Sequence, residues 1–268
     1  MNQRREKVYN NNLFLELSSE IRYSILSLLE KENLKQSQVA KKLDINLPES
    51  HRQLERLVEG GFVKKESDGT FALSSFGKII LQQSESLSYI QKFKEFFQEH
   101  SIGDLPQKFV TRMAELKECI LIEGAFVLNE KMKKIAGEGE YLKVVSAHVP
   151  PDAFQKGLEK ARRGKKISII YGENTIVPKG FKDELRRPEV QNFMDKGIYQ
   201  RKMIPKVQIF VVLNDKESLI VFPNLKGEVD LSYGFFSDNL QFHEWCNDYH
   251  KYLWEIGEFC EISKLREF

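Results

Sequence analysis

The chain has no apolar run longer than the five residues Ile209–Leu213, far short of the roughly 18 that a membrane-spanning helix needs. A helical membrane anchor is therefore excluded. The opening residues, MNQRREKVYNNN, lead into no continuous apolar segment and no small-residue cleavage site, which argues against a secretory signal and for a cytoplasmic protein. Only three cysteines occur, Cys119, Cys246 and Cys260. They make neither a CxxC pair nor an even framework, so they read as small core residues in a reducing compartment. Charge of one sign is lacking as well: 41 Lys+Arg face 39 Asp+Glu, a net of +2 over 268 residues. Any basic footprint for a polyanion must be local.

What is present is a helix-and-turn pattern ahead of an alternating strand-and-helix pattern, a length and order that suit two domains. From Ser18 or Ser19, a candidate N-cap, apolar residues Ile21, Ile25, Leu28 and Leu29 recur at helical spacing. Asn33 breaks that helix, Leu34 suits a short strand, and Ser37–Leu43 predicts a brief second helix. Asp44, Ile45 and Asn46 form a turn, and PESHRQLERLVE (48–59) predicts a third helix with Pro48 in its first turn and Leu54, Leu57 and Val58 inward. Gly60 and Gly61 stop it. The stretches on either side of Asp68-Gly69 then predict a two-stranded hairpin. Residues 1–74 thus read as a winged helix-turn-helix.

Residues 75–103 predict a long connecting helix, with Phe76, Ile80, Leu87, Ile90, Phe93 and Phe97 as an apolar seam interrupted by Gln83. It must bury that seam against its own domain or against the same helix of a second subunit, and we favour the second, which implies a homodimer. Residues 104–268 predict a mixed α/β domain. Its expected strands are 119–124, 142–148, 166–172, 199–204, 207–213, 218–222 and 231–236, and its expected helices 105–116, 126–136, 152–162, 181–195 and 238–258. The early alternation implies parallel pairing and the late hairpins antiparallel edges.

A helix, tight turn, second helix and wing place the second helix in a major groove about 12 Å wide. With Leu54, Leu57 and Val58 inward, Glu49, Ser50, Arg52, Gln53 and Arg56 are expected outward, beside Pro48 at the helix start. Arg52 and Gln53 are the candidates for base contacts, since a guanidinium pairs with guanine and an amide with adenine. Arg56 suits the phosphate backbone. Ser37 and Gln38 open the preceding helix, where amides and a hydroxyl can hold phosphate, and Lys64 and Lys65 serve the same purpose from the wing. Residues 1–75 hold 12 Lys+Arg and 11 Asp+Glu. So weak a field calls for two modules acting together.

The segment SSEIRYSILSLLEK…SQVAKKLDINLPESHRQLERLVEGGFVKKESDGTFALSSFGKIIL resembles the winged helices of ArsR-like archaeal regulators, including the Ser-x-x-Gly turn at Ser74 and Gly77. Residues 102–116, 206–239 and 242–255 resemble the sensor region of the methanogenesis regulatory protein family. The resemblance implies a double-stranded-DNA-binding transcription regulator whose second domain is similar to a phospholipase-D-like fold without its chemistry. That fold's His-x-Lys-x4-Asp pattern is absent, since none of His51, His100, His148, His243 and His250 has a lysine two positions on. Metal-sensing relatives use paired cysteines in the DNA-binding domain, whereas residues 1–100 here contain none.

No GxGxxG, GxSxG or phosphate-loop motif occurs. GENTIVPKG (172–180) has loop-like glycines only. His243, Cys246 and His250 share one face of an expected helix, but Trp245, Tyr249 and Trp254 beside them favour packing over metal binding. KARRGKK (160–166) reads as a solvated helix end. No cofactor and no enzymatic activity are expected. For a small-molecule effector, the rule that ligands sit beyond the carboxyl ends of parallel strands points to Glu123, His148 and Tyr171. The competing reading is a winged-helix protein-interaction module joined to an inactive or cryptic enzyme-like domain.

Overall fold

The computed structural model describes residues 13–150 and 152–268; the charged stretch at 1–12, read above as no secretory signal, lies outside them. Two compact units emerge, Met1–Glu85 and Ser86–Phe268. In the first, helices α1 (Leu13–Leu17), α2 (Glu20–Lys31), α3 (Gln36–Leu43) and α4 (Leu47–Glu59) precede a hairpin of β1 (Val63–Lys65) and β2 (Phe71–Leu73). Ser19 is the N-cap of α2, its hydroxyl accepting from the Arg22 amide. Leu34 makes a single bridge to Phe71, so the expected short strand closes the hairpin as a third element. Ile25, Leu26, Val39, Leu54, Leu57 and Phe71 form the core, each such side chain contributing about 1.5–3 kcal/mol by leaving water. Gly61 takes the left-handed conformation after α4, and the result is a winged helix-turn-helix.

The long connecting helix is not continuous. Helix α5 (Ser75–Lys92) ends at Phe93, whose φ of −108° and ψ of 32° leave the helical region, and α6 (Lys94–Glu99) follows. The cause is packing. Tyr89, Phe93, Phe96 and Phe97 join Phe222 and Phe235 in one aromatic cluster, and its buried members belong to the core of the second unit. The boundary between the units therefore falls within α5 rather than at either end of residues 75–103.

The second unit continues through α7 (Gln107–Val110), β3 (Ile120–Glu123), α8 (Ala125–Gly137), β4 (Tyr141–His148), α9 (Ala153–Arg162) and β5 (Lys166–Val177). Helices α10 (Phe181–Leu185) and α11 (Pro188–Asp195) come next, then β6 (Tyr199–Ile204), β7 (Phe210–Leu213), β8 (Ser218–Val221), β9 (Tyr233–Ser237), α12 (Leu240–Ile256), β10 (Glu258–Phe259) and β11 (Arg266–Glu267). The sheet runs β10-β6-β5-β4-β7-β8-β9-β3, with β11 on β5. Pairing is parallel between β4, β5 and β6 and antiparallel from β7 to β3, the mixed sheet expected from the alternation.

Strand β7, and β8 after Ser218, are continuous apolar runs because the sheet is covered on both faces. Phe210 and Val212 enter one core with α8 and α9, while Val211 and Leu213 enter the other with α12. Strand β5 extends to Val177, so GENTIV is strand rather than loop. The expected helix at 105–116 is α7 plus a 3-10 turn, Met113–Leu116. The one at 181–195 splits before Pro188, which disfavours helical geometry in the residue ahead of it.

KARRGKK is a solvated helix end only in part: Arg163 and Lys166 are exposed, but its other basic residues are engaged by the protein. Lys160 is buried, its Nζ donating to the carbonyls of Glu138, Gly139 and Tyr141 near the C-terminus of α8. Arg162 pairs with Glu189 and Lys165 with Glu140. The histidines of α12 are likewise engaged. His243 contacts Tyr141 Oη and Ser218 Oγ, and His250 Nε2 donates to the Ser168 carbonyl, while Cys246 is buried. Burial holds His250 down at about 4, Lys143 adding to the effect, and burial lowers His148 and His243 too.

An unfolded histidine takes up its proton near pH 6.5, whereas the folded His250 refuses it until about pH 4. Stability contributed by the neutral ring is therefore full above pH 6.5 and falls as pH drops toward 4. The loss amounts to roughly 3 kcal/mol at about 1.4 kcal/mol per unit. Urea midpoints between pH 7 and 4 are expected to fall more steeply for the wild type than for His250→Gln, and equal slopes would remove His250 as the cause.

Candidate nucleic-acid interface

Helix α4 starts at Asn46, whose Oδ1 accepts from the Glu49 amide at 2.8 Å, with Pro48 in the first turn. Asp44, at a φ of 52°, lets the chain turn sharply out of α3. The inner stripe of α4 is Ser50, Gln53, Leu54 and Leu57, residues three and four apart that necessarily share one face. Leu47, Pro48, His51, Arg52, Arg56 and Glu59 make up the exposed side.

Two expected contact residues are thereby corrected. Ser50 is fully buried, and its hydroxyl donates to the Gln36 carbonyl at 3.1 Å, tying α4 to the start of α3. Gln53 is 8% exposed, with its Oε1 accepting from Arg22 and its Nε2 donating to Glu49. Both lie on the Leu54 side by periodicity, and their polarity is met inside the domain. Arg56 is not free for phosphate either. Its guanidinium makes a bidentate pair with the buried Glu16, which also binds Arg22 at 2.8 Å. Glu16 thus raises the Arg56 guanidinium further, whereas burial lowers that of Arg22.

Arg52 is the residue that the fold presents outward, its side chain 72% exposed and bonded to Glu49. Hydrogen bonds from Gln53 and Arg52 hold the Glu49 carboxyl below its ordinary range. His51, exposed beside Arg52 and 3.9 Å from Glu55, joins the outer face as an addition to the residues expected there, and the helical period places it outward. Ser37 and Gln38 are exposed on the first turn of α3, where Gln38 Oε1 accepts the Lys35 amide. On the wing, exposed Lys64 pairs with Glu66 at 2.6 Å and exposed Lys65 sits 5.7 Å from the Phe71 ring centre. Helix α4 carries two arginines against three glutamates, so its surface offers shape and hydrogen-bonding groups rather than a strong positive field.

The three residues named for an effector are not brought together. His148 and Tyr171 line one cleft of the second unit. Glu123 lies on the edge strand β3, separated from β4 by β7, β8 and β9. Strand β3 is antiparallel to its neighbour, so the rule for parallel strands does not apply to its end. Tyr171 is fully buried, its hydroxyl 3.3 Å from that of Tyr199.

No protein-family model and no curated protein matches the chain. Among solved structures, it is similar over 90% of its length to 93% of TrmBL2, described as an archaeal chromatin protein with a novel mode of DNA binding, at 13% identity and a TM-score of 0.40. NucT from Helicobacter pylori matches with 53% of this chain and 99% of its own, at 13% identity and a TM-score of 0.39. Nuc from Salmonella typhimurium, a phospholipase D family member, matches with 53% and 97%, at 12% identity and a TM-score of 0.38. At these values the likenesses assign no function. Among the described residues, no helix is long and apolar enough to cross a membrane.

Proposed function

We propose that this protein is a sequence-specific, double-stranded-DNA-binding transcription regulator, cytoplasmic and homodimeric, whose second unit adjusts DNA affinity in response to a small molecule or a protein partner. The observation that carries the reading is the outer face of α4. Pro48, His51 and Arg52 stand free of a fully packed inner face, flanked by Ser37 and Gln38 on α3 and by Lys64 and Lys65 on the wing. A 13-residue helix is about 20 Å long, enough to lie in a major groove with its N-terminal half against base edges. Arg52 reads a base, His51 stands beside it, and the two lysines meet phosphate.

Because the charges of α4 nearly cancel, a single copy binds weakly, and pairing supplies the affinity. Helix α5 offers the means: Phe76, Ile79, Leu87 and Ile90 are exposed along it, with Gln83 at a seam position. A buried polar residue in a helical seam sets register at some cost in stability. The resemblance to ArsR-like archaeal regulators supports the same reading, and the missing His-x-Lys pattern supports a second unit without phospholipase chemistry.

Arg52→Ala tests the proposal. Specific binding is expected to fall by about 1–3 kcal/mol, roughly 5- to 150-fold, with selectivity relaxed at one base pair. Fluorescence anisotropy on selected genomic fragments against shuffled DNA reads this, with sedimentation at the same concentrations reading the dimer. The near-neutral α4 also suits a protein-interaction module. DNA binding that is weak, indifferent to sequence and unchanged in Arg52→Ala would favour that reading instead.

A further inference from the structure

Strands β4 and β5 lie in the interior of the sheet, where side chains facing the helices are expected to be fully covered. Val144 and Ile169, paired across these two strands, are only partly buried. They form the floor of a narrow cleft between α8 and α9, with a cavity volume of about 80 Å³. The walls are Met132 and Ala136 from α8 and Phe154 and Gly157 from α9.

Gly157 is an independent sign of space. It sits in the interior of α9, where glycine weakens a helix relative to alanine. Yet a Cβ built there would meet nothing closer than Ile167 Cδ1 at 4.0 Å. Close packing does not demand the glycine, and its missing side chain widens the cleft.

Most polar groups of the lining are engaged within the protein, the His148 ring and the Asn129 amide being the ones that make no hydrogen bond among the described residues. Ser146 Oγ donates to the His148 carbonyl at 2.6 Å, the Tyr171 and Tyr199 hydroxyls meet each other, and Lys133 pairs with Glu130 and Asp152. Such a cleft rewards hydrocarbon and offers little to a charged group, which would lose its water without gaining a partner. The Lys133–Asp152 pair joins α8 to the N-cap of α9 at 2.9 Å.

We infer that the cleft between α8 and α9 is a binding site for a small, uncharged, largely hydrocarbon molecule. As an effector site it rests on the regulatory reading of the second unit; as a binding site it does not. An occupant spreads α8 from α9 and works against the Lys133–Asp152 pair.

The full chain, labelled at its isoleucine, valine and methionine methyl groups, is titrated with indole and with 1-octanol. Saturable shifts of the Val144, Ile169 and Met132 methyls are expected. Gly157→Leu is expected to weaken binding at least tenfold, and Gly157→Ala to weaken it measurably without lowering the melting temperature. No saturable shift in the wild type would overturn the inference, as would undiminished binding in a folded Gly157→Ala or Gly157→Leu. DNA binding is measured on the same samples. Loss of the ligand site with DNA binding intact refutes only this inference, and a working ligand site on a protein that ignores DNA refutes only the regulator.

Discussion

Gly77→Ala is expected to be among the most damaging single substitutions in the winged-helix unit, although it adds only one methyl group. A Cβ at Gly77 would lie 2.1 Å from the Phe62 carbonyl oxygen and 2.9 Å from its carbon. Neither atom can move away cheaply. The same carbonyl accepts the Ser74 amide at 2.9 Å, and Phe62 is a core residue. Ser74 Oγ in turn donates to the Gly61 carbonyl and accepts the Gly77 amide, closing the wing onto the first turn of α5. Overpacking against fixed backbone costs about 3 kcal/mol, and in a domain of this size that lowers the melting temperature by roughly 12–24 °C. Gly69→Ala is the contrast, since nothing lies within 4 Å of its Cβ and only its φ of 81° opposes the change; about 1–2 kcal/mol is expected there. Thermal unfolding by circular dichroism compares the two. If Gly77→Ala melts within a few degrees of the wild type, α5 does not lean on the Phe62 carbonyl.

Glu16→Ala is expected to cost about 3–5 kcal/mol, because it strips a buried arginine of its counter-charge. Arg22 is 7% exposed and spends its remaining donors on the Leu15 carbonyl and on Gln53 of α4. Glu16 also holds Arg56 of α4, so the same change loosens α4 and frees a guanidinium at its surface. Chemical denaturation and anisotropy therefore move in separable ways: stability falls steeply, while non-specific DNA binding holds or rises. Replacing the pair together, as Glu16→Leu with Arg22→Met, is expected to restore most of the stability, since the larger part of the loss comes from the orphaned charge. A double variant no more stable than Glu16→Ala would mean that the arginine's packing, not its pairing, is what matters.

These two residues differ in how far the sequence announced them. Ser74 and Gly77 stand out as a Ser-x-x-Gly turn after the wing, and the structure supplies the steric reason for the glycine. Glu16 carries no signal at all: a lone acidic residue ahead of the first firm helix looks solvated, and its partners Arg22 and Arg56 lie 6 and 40 positions away. On α4, Arg52 was legible because exposed arginine on a predicted outer face is the simplest arrangement. Ser50 and Gln53 look outward by polarity, but helical angle overrides polarity here. Their spacing from Leu54 and Leu57 put them inside, where Gln36, Arg22 and Glu49 satisfy them.

The same division runs through the whole molecule. Local rules sufficed for the elements, since capping residues, glycines after helices and two- or three-to-four-residue apolar periods act over a few positions; the winged helix, the seven main strands and α12 were all legible. Cross-chain partners decide everything else. The break at Phe93 exists because an aromatic cluster with Phe222 and Phe235 outweighs helix continuation. Lys160 points inward because the carbonyls of the turn that follows α8 need donors, and Glu123 sits far from His148 because β3 joins the sheet at its edge, with three strands between it and β4. Hydrophobic period is a property of neighbours along the chain, whereas the partner of a buried charge, a ring or a strand edge is chosen by burial at long range, which no window of sequence contains.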